Sequence, residues 1–215
     1  MIDFEAARVK MVENQIRTTD VTAHSVLQAF LTVQRENFVP AKSKSLAYID
    51  NDVEICPGRF LMEASPLAKL LQLAAITKSD TVLEVGTGSG YISALLSLLA
   101  KSVVSIESDE ALAEQAIANL AGAHNVTVVT GDMEKGVSDQ GPYDVIFIAG
   151  SIEDVPAELS AQLKDGGRLV AVLGYGNAAQ ATLFVKEQGA LSKSAHFNAS
   201  IKPLPGFRRA KDFVF

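Results

Sequence analysis

Val82-Leu83-Glu84-Val85-Gly86-Thr87-Gly88-Ser89-Gly90-Tyr91 decides the fold. An apolar strand runs into a Gly-x-Gly-x-Gly turn, and Tyr91-Ile92-Ser93-Ala94-Leu95-Leu96 then opens a helix. Alternate glycines let the backbone turn tightly and approach a ligand closely, while the free N–H groups of the helix start offer hydrogen bonds to an anionic or polar group. The result is a nucleotide-type cradle, although glycine-rich turns also serve as plain connections.

The next strands sharpen that reading. Val103-Val104-Ser105-Ile106-Glu107 is a second apolar run, and it ends in a carboxylate about twenty residues after the first glycine, where an acid accepts both hydroxyls of a ribose. Val126-Thr127-Val128-Val129 leads to Gly131-Asp132, a position suited to meeting an adenine edge. Polar groups thus gather at successive strand ends, the edge at which open parallel sheets bind their ligands. The spacing Gly-x-Gly-x-Gly, with Glu84 on the strand itself, resembles the first motif of the S-adenosylmethionine-dependent methyltransferases, with NAD as the alternative ligand. The resemblance implies S-adenosyl-L-methionine as cofactor, bordered by Glu84, Gly86, Thr87, Gly88, Ser89, Gly90, Tyr91, Glu107, Ser108, Asp132 and Met133. Glu107 is expected to face an open pocket at the carboxyl edge of the sheet.

Around this stretch the order of elements is regular. A helix from Pro66 to Ile76 precedes strands at Thr81–Val85, Ser102–Glu107, Val126–Thr130 and Tyr143–Ile148, with helices from about Ser89 to Leu99 and from Glu110 to about Leu120 between them. Gly166-Gly167 makes a tight turn into a fifth strand, and Ala181–Lys186 forms another. Such alternation predicts a Rossmann-like, doubly wound α/β fold, a parallel sheet with helices on both faces. Residues 1–60 read as a helical extension and connection, with helices over 3–17 and 24–33 and a possible hairpin before residue 61; residues 61–215 form the core of one domain spanning 1–215.

Composition narrows the function. A chain of 215 residues, 48% of them hydrophobic, suffices for one sizeable core. A net charge of −6 argues against a surface that holds polyanions without selectivity, so nucleic acid is not expected as a partner. The single cysteine, Cys56, rules out an intrachain disulfide framework and suits a reducing compartment. Met1-Ile2-Asp3-Phe4-Glu5 lacks the basic-then-apolar order of a signal peptide, and no apolar run reaches the roughly twenty residues of a membrane span. A cytoplasmic protein with no membrane partner is the expectation. His24, His124 and His196 have no partner at metal-ligand spacing, and no metal site is expected.

A second resemblance is more specific. Met11-Val12-Glu13-Asn14-Gln15-Ile16-Arg17, Val26-Leu27-Gln28-Ala29-Phe30 and Arg35-Glu36-Asn37-Phe38-Val39-Pro40 are similar to the N-terminal extension of the protein-L-isoaspartate (D-aspartate) O-methyltransferases. Gln162-Leu163-Lys164-Asp165-Gly166-Gly167-Arg168-Leu169-Val170 and Ser200-Ile201-Lys202-Pro203-Leu204-Pro205-Gly206 match later segments of that family. The resemblance implies methyl transfer to a carboxylate of damaged aspartyl residues in a protein or peptide substrate, with the extension packed over the cofactor and the Ser200–Gly206 backbone meeting the substrate. An ionised carboxylate acceptor needs alignment rather than a catalytic base, so the lack of a Ser-His-Asp arrangement counts against hydrolases only.

Two departures stand out. The family's Gln-Thr-Ile-Ser-x-Pro carries a serine beside the acceptor; aligned on Pro66, this chain has Met62, Glu63 and Ala64 in place of Thr-Ile-Ser. Ser65, one residue away, is the candidate catalytic hydroxyl, or else the N-cap of the helix that Pro66 begins. Gly131-Asp132-Met133 replaces Gly-Asp-Gly. These changes leave open a family member that binds the cofactor but acts on another acceptor, or as a binding or regulatory protein.

Overall fold

A computed structural model describes residues 2–207. Its centre is a seven-stranded sheet in the order β5-β4-β3-β6-β7-β8-β9, built from β3 (Thr81–Val85), β4 (Ser102–Glu107), β5 (Val126–Thr130), β6 (Tyr143–Ile152), β7 (Leu163–Leu173), β8 (Gln180–Glu187) and β9 (Ala190–Asn198). β3 pairs in parallel with β4 on one side and β6 on the other, because apolar runs such as Val82-Leu83 and Val103-Val104 are buried on both faces. The sheet is not wholly parallel as expected: β8 and β9 run antiparallel, joined through Gln188-Gly189. β9 escaped the sequence reading because most of its residues are exposed, which removes the alternation that marks a half-buried strand.

One face is covered by α1 (Phe4–Met11), α2 (His24–Thr32), α3 (Ala64–Ala74), α4 (Tyr91–Leu99) and α5 (Glu110–Asn119), whose apolar sides meet in one cluster that includes Met11, Phe30, Leu67, Leu95, Ala116 and Val145. The other face carries the short α6 (Ala157–Ala161), and its cluster includes Leu83, Ile146, Leu159, Leu204 and Phe207. The N-terminal helix continues from α1 through a π-helical turn, Val12–Ile16, to end in a 3-10 turn at Thr19. α2 starts without a side-chain cap, its N-cap being Ala23; Gln72 of α3 instead accepts from the N–H groups of Thr22 and Ala23.

Two smaller pieces close over the carboxyl edge of β3. A hairpin of β1 (Val53–Cys56) and β2 (Arg59–Leu61) turns at Pro57-Gly58, with Gly58 at φ +76. From the other side the segment Ile201–Leu204 straps along the end of β6: Ser151 N–H donates to Lys202 O at 3.0 Å, and Leu204 N–H donates to Ser151 O at 2.9 Å.

Candidate active site

The turn after β3 has the shape its glycines predict. Gly86, Gly88 and Gly90 adopt φ of +96, +55 and +92, a region side-chain-bearing residues rarely enter. Gly86 N–H donates to Ile106 O at 2.9 Å and so ties the loop to the end of β4.

Below the loop lies a buried polar network. Glu84 is fully buried; Oε2 accepts from the hydroxyls of Ser93 and, at 2.7 Å, Ser105, while Oε1 has no partner. Thr87 Oγ1 lies 2.6 Å from Ser105 Oγ, linking the loop to the same network. Burial pushes the Glu84 carboxyl up to about 8 against the pull of its two hydroxyl donors, so it is neutral at pH 7. Glu84, expected beside the cofactor, is therefore placed as a support under the loop.

Glu107 closes β4 and turns toward the loop. Gly88 N–H donates to Oε2 at 2.8 Å, and the N–H groups of Ser108 and Asp109 donate to Oε1 at 2.9 and 3.1 Å. The remaining positions are taken by Arg59 of β2, whose Nη1 and Nη2 reach Oε1 and Oε2, each at 2.6 Å. Burial alone would raise this carboxyl, but the Arg59 guanidinium and the backbone donors outweigh it and hold it below the usual carboxylate range. Sequence reasoning missed Arg59. The signal available was a cation between Pro57-Gly58 and Phe60-Leu61, in a segment otherwise apolar.

The expected open pocket is thus closed in this structure. Ile55, Arg59, Phe60, Leu61 and Met62 cover the loop, leaving about 20 Å³ between them, room for about one water. A Cβ built on Gly86 would stand 2.7 Å from Leu204 Cδ1, and one on Gly88 would stand 3.2 Å from Ile55 Cδ1. The donors fit an adenosyl group: a carboxylate at the strand end, a loop with backbone freedom, and the buried Ser89 hydroxyl, which has no partner. Its entry requires the hairpin and Leu204 to give way.

Other candidates fall into different places. Tyr91 is buried edge-on against Phe30 and Phe38, with the Arg35 guanidinium 4.9 Å from its ring centre, so it anchors the N-terminal extension to the start of α4. Ser108 is exposed and contributes its N–H to Glu107. Asp132 pairs with Lys135 at 3.2 Å and lines a separate groove of about 530 Å³ with Glu134, Asp154 and Glu158, while Met133 is buried in the core of that face. The structure corrects the reading of Ser65 as an N-cap. The helix begins at Ala64 with Glu63 as N-cap, and the Ser65 hydroxyl donates to Thr19 Oγ1 at 3.1 Å, inside the seam with the N-terminal segment. Glu63 is half-buried, and burial followed by the neighbouring Asp50 raises its carboxyl.

The comparisons fit this geometry. The family model described as protein-L-isoaspartate(D-aspartate) O-methyltransferase matches residues 6–204. The chain belongs to this family. A protein-L-isoaspartate O-methyltransferase of Koribacter versatilis is 37% identical over 205 residues, covering 94% of this chain and 92% of that protein. Another, from Opitutus terrae, is 40% identical over 175 residues, 80% of this chain and 75% of that one. A solved protein-L-isoaspartate O-methyltransferase superposes with a TM-score of 0.81 at 28% identity; it covers 93% of this chain, which spans 66% of that longer one. A Plasmodium falciparum structure described as a putative enzyme of this kind, in complex with S-adenosyl-L-homocysteine, shares the fold at a TM-score of 0.79 and 17% identity, covering 95% of this chain and 99% of that one.

Proposed function

We propose that this chain transfers a methyl group from S-adenosylmethionine to a carboxylate of isoaspartyl residues in proteins and peptides. The observation that carries the reading is the match of the family model over residues 6–204 together with a Glu107 carboxylate held against Gly88 N–H at 2.8 Å. In this reading the Gly86–Gly90 loop and Glu107 hold the adenosyl group, and Ser89 and Ser108 border it. Glu84 and Thr87 keep the loop in shape from below.

Held by the glycine loop and Glu107, S-adenosylmethionine would supply an electrophilic methyl carbon to the acceptor carboxylate oxygen, with the thioether sulfur as leaving group. The chain's part is to bind, align within about 3–3.5 Å and exclude water. The hairpin β1–β2 and the strap Ile201–Leu204 are placed for that exclusion, since they already cover the loop.

The test is a methyl-transfer assay on an isoaspartyl peptide and on its normal aspartyl counterpart. The expected result is stoichiometric S-adenosylhomocysteine and a base-labile methyl ester on the first peptide only, with cofactor affinity in Glu107→Ala lowered by at least about tenfold, roughly one lost charged hydrogen-bond pair. Equal turnover of both peptides, or none on either, overturns the reading.

A further inference from the structure

Glu107 has no acceptor capacity to spare. A carboxylate offers about four lone-pair positions, and here five N–H donors converge on its two oxygens: two from Arg59 and one each from Gly88, Ser108 and Asp109. A ribose can bring its two hydroxyls to Glu107 only by displacing donors. The three backbone N–H groups are fixed by the glycine loop and the start of α5, so the movable pair is the guanidinium. Arg59 sits on β2 of the hairpin, which pairs with β1 and forms no ladder with the central sheet.

Arg59 also stands at a boundary. It borders the loop side with Gly86 to Ser89, and it borders a second small cavity formed with Phe60, Ala149, Lys202, Pro203 and Leu204 of the strap. That second side carries a further cation, Lys202, which the lining of the loop side lacks. No hydroxyl serves the acceptor on the α3 side, since Ala64 has none and Ser65 donates to Thr19. The cations at the second cavity are Arg59 and Lys202, whose Nζ lies 5.2 Å from the Phe60 ring centre; the one carboxylate in its lining, Asp52, accepts from Glu63 N–H at 3.0 Å, so the two cations outnumber it.

A guanidinium with only 11% of its side chain exposed is not stable without an anion. Its planar fork of donors fits any carboxylate in the same bidentate manner. Resting on the function proposed above, we propose that Arg59 exchanges carboxylates in each catalytic cycle: it neutralises Glu107 until the ribose hydroxyls claim that acid, and it then binds the acceptor carboxylate against the strap. The exchange makes binding ordered, cofactor before acceptor, because Arg59 is free for the acceptor only after Glu107 has been claimed. It also assists release, since the methyl ester product is neutral and no longer competes with Glu107 for the guanidinium.

The experiment compares wild type, Arg59→Ala and Arg59→Lys in two measurements: calorimetric binding of S-adenosylmethionine, and steady-state kinetics on an isoaspartyl peptide. Arg59→Ala is expected to bind S-adenosylmethionine at least about fivefold more tightly, because no ion pair has to be broken, and to raise the peptide KM by at least about tenfold. Arg59→Lys should shift both quantities in the same senses by smaller factors, one point charge replacing a fork, and it carries the test if the alanine variant does not fold. A damaged hairpin would weaken both ligands together, so the opposed directions separate exchange from structural loss. Weaker cofactor binding in both variants, or an unchanged peptide KM, overturns the exchange while leaving the proposed function standing. A wild type that transfers no methyl to the peptide overturns the function, and the acceptor role of Arg59 with it.

Discussion

The Arg35 guanidinium lies 4.9 Å from the centre of the Tyr91 ring, and this contact joins the N-terminal extension to the first residue of the helix that follows the glycine loop. Arg35 is fully buried; its Nε donates to Ala47 O at 2.7 Å and its Nη2 to Met62 O at 2.8 Å. One side chain therefore holds the connection before the hairpin, the segment after it, and the start of α4. The extension thereby fixes both the hairpin and the ring beside the loop.

Replacing Arg35 removes two charge-assisted hydrogen bonds and leaves two buried carbonyls unpaired. Arg35→Ala is expected to lose about 3 kcal/mol of stability in urea unfolding. Arg35→Lys should recover less than half of that, because an ammonium cannot span the Ala47 and Met62 carbonyls while stacking on Tyr91. A loss below about 1 kcal/mol in the alanine variant would show that Tyr91 and its aromatic neighbours hold the extension by themselves.

The Glu84 carboxyl sets a pH dependence of stability. Its folded value of about 8 lies above the ordinary 4.5, so between those values the folded chain keeps a proton that the unfolded chain has released. Stability from this group is complete below about pH 4.5 and is lost as the pH rises through about 8. The slope contributed is at most about 1.4 kcal/mol per pH unit. Urea midpoints at pH 5, 6, 7 and 8 should fall more steeply for wild type than for Glu84→Gln, which keeps the shape of the side chain and has no proton to lose. Parallel curves for the two proteins would mean that Glu84 titrates normally.

Leu204 and Gly86 are expected to be coupled. An alanine at Gly86 has to adopt a φ of +96, at about 1–2 kcal/mol, and its methyl group would stand 2.7 Å from Leu204 Cδ1. Leu204→Ala alone removes a buried side chain at about 2–3 kcal/mol. The double variant should be less destabilised than the sum of the two by about 1 kcal/mol, because the smaller residue vacates the space the new methyl needs. Strict additivity in a double-mutant cycle would place Leu204 away from the loop in solution.

The sequence disclosed the part of the site built from neighbours in the chain. β3, β4 and β5 matched their expected bounds because each is an apolar run stopped by glycine or a polar residue, and the loop glycines signal their own backbone conformations. What it withheld depends on tertiary approach. Arg59 and Glu107 are 48 residues apart and belong to different sheets, so no local pattern links them. Leu204 is an ordinary apolar residue until the strap lays it on Gly86, and Tyr91 looks like a cofactor neighbour until Phe30, Phe38 and Arg35 surround it. Ser65 was misplaced by taking Pro66 as the first helical residue; the helix begins two residues earlier, which turns the hydroxyl into the seam.

That seam makes the last expectation a contrast between adjacent positions. The Ser65 hydroxyl has one partner, Thr19 Oγ1 at 3.1 Å, so Ser65→Ala should cost no more than about 1 kcal/mol and leave kcat/KM on an isoaspartyl peptide within about twofold of wild type. Ala64 is 1% exposed and packed in the cluster formed by the N-terminal helices, so Ala64→Ser brings a hydroxyl into an apolar setting at about 1–3 kcal/mol. If the family serine could act from this position, Ala64→Ser would raise kcat/KM despite that loss. The geometry predicts instead that Ala64→Ser lowers the thermal midpoint and gains no activity, because Ala64 is buried in the core cluster and is absent from the lining of the cavity at the loop. A gain in turnover from Ala64→Ser, or a collapse of turnover in Ser65→Ala, would restore a hydroxyl to the acceptor side of the site.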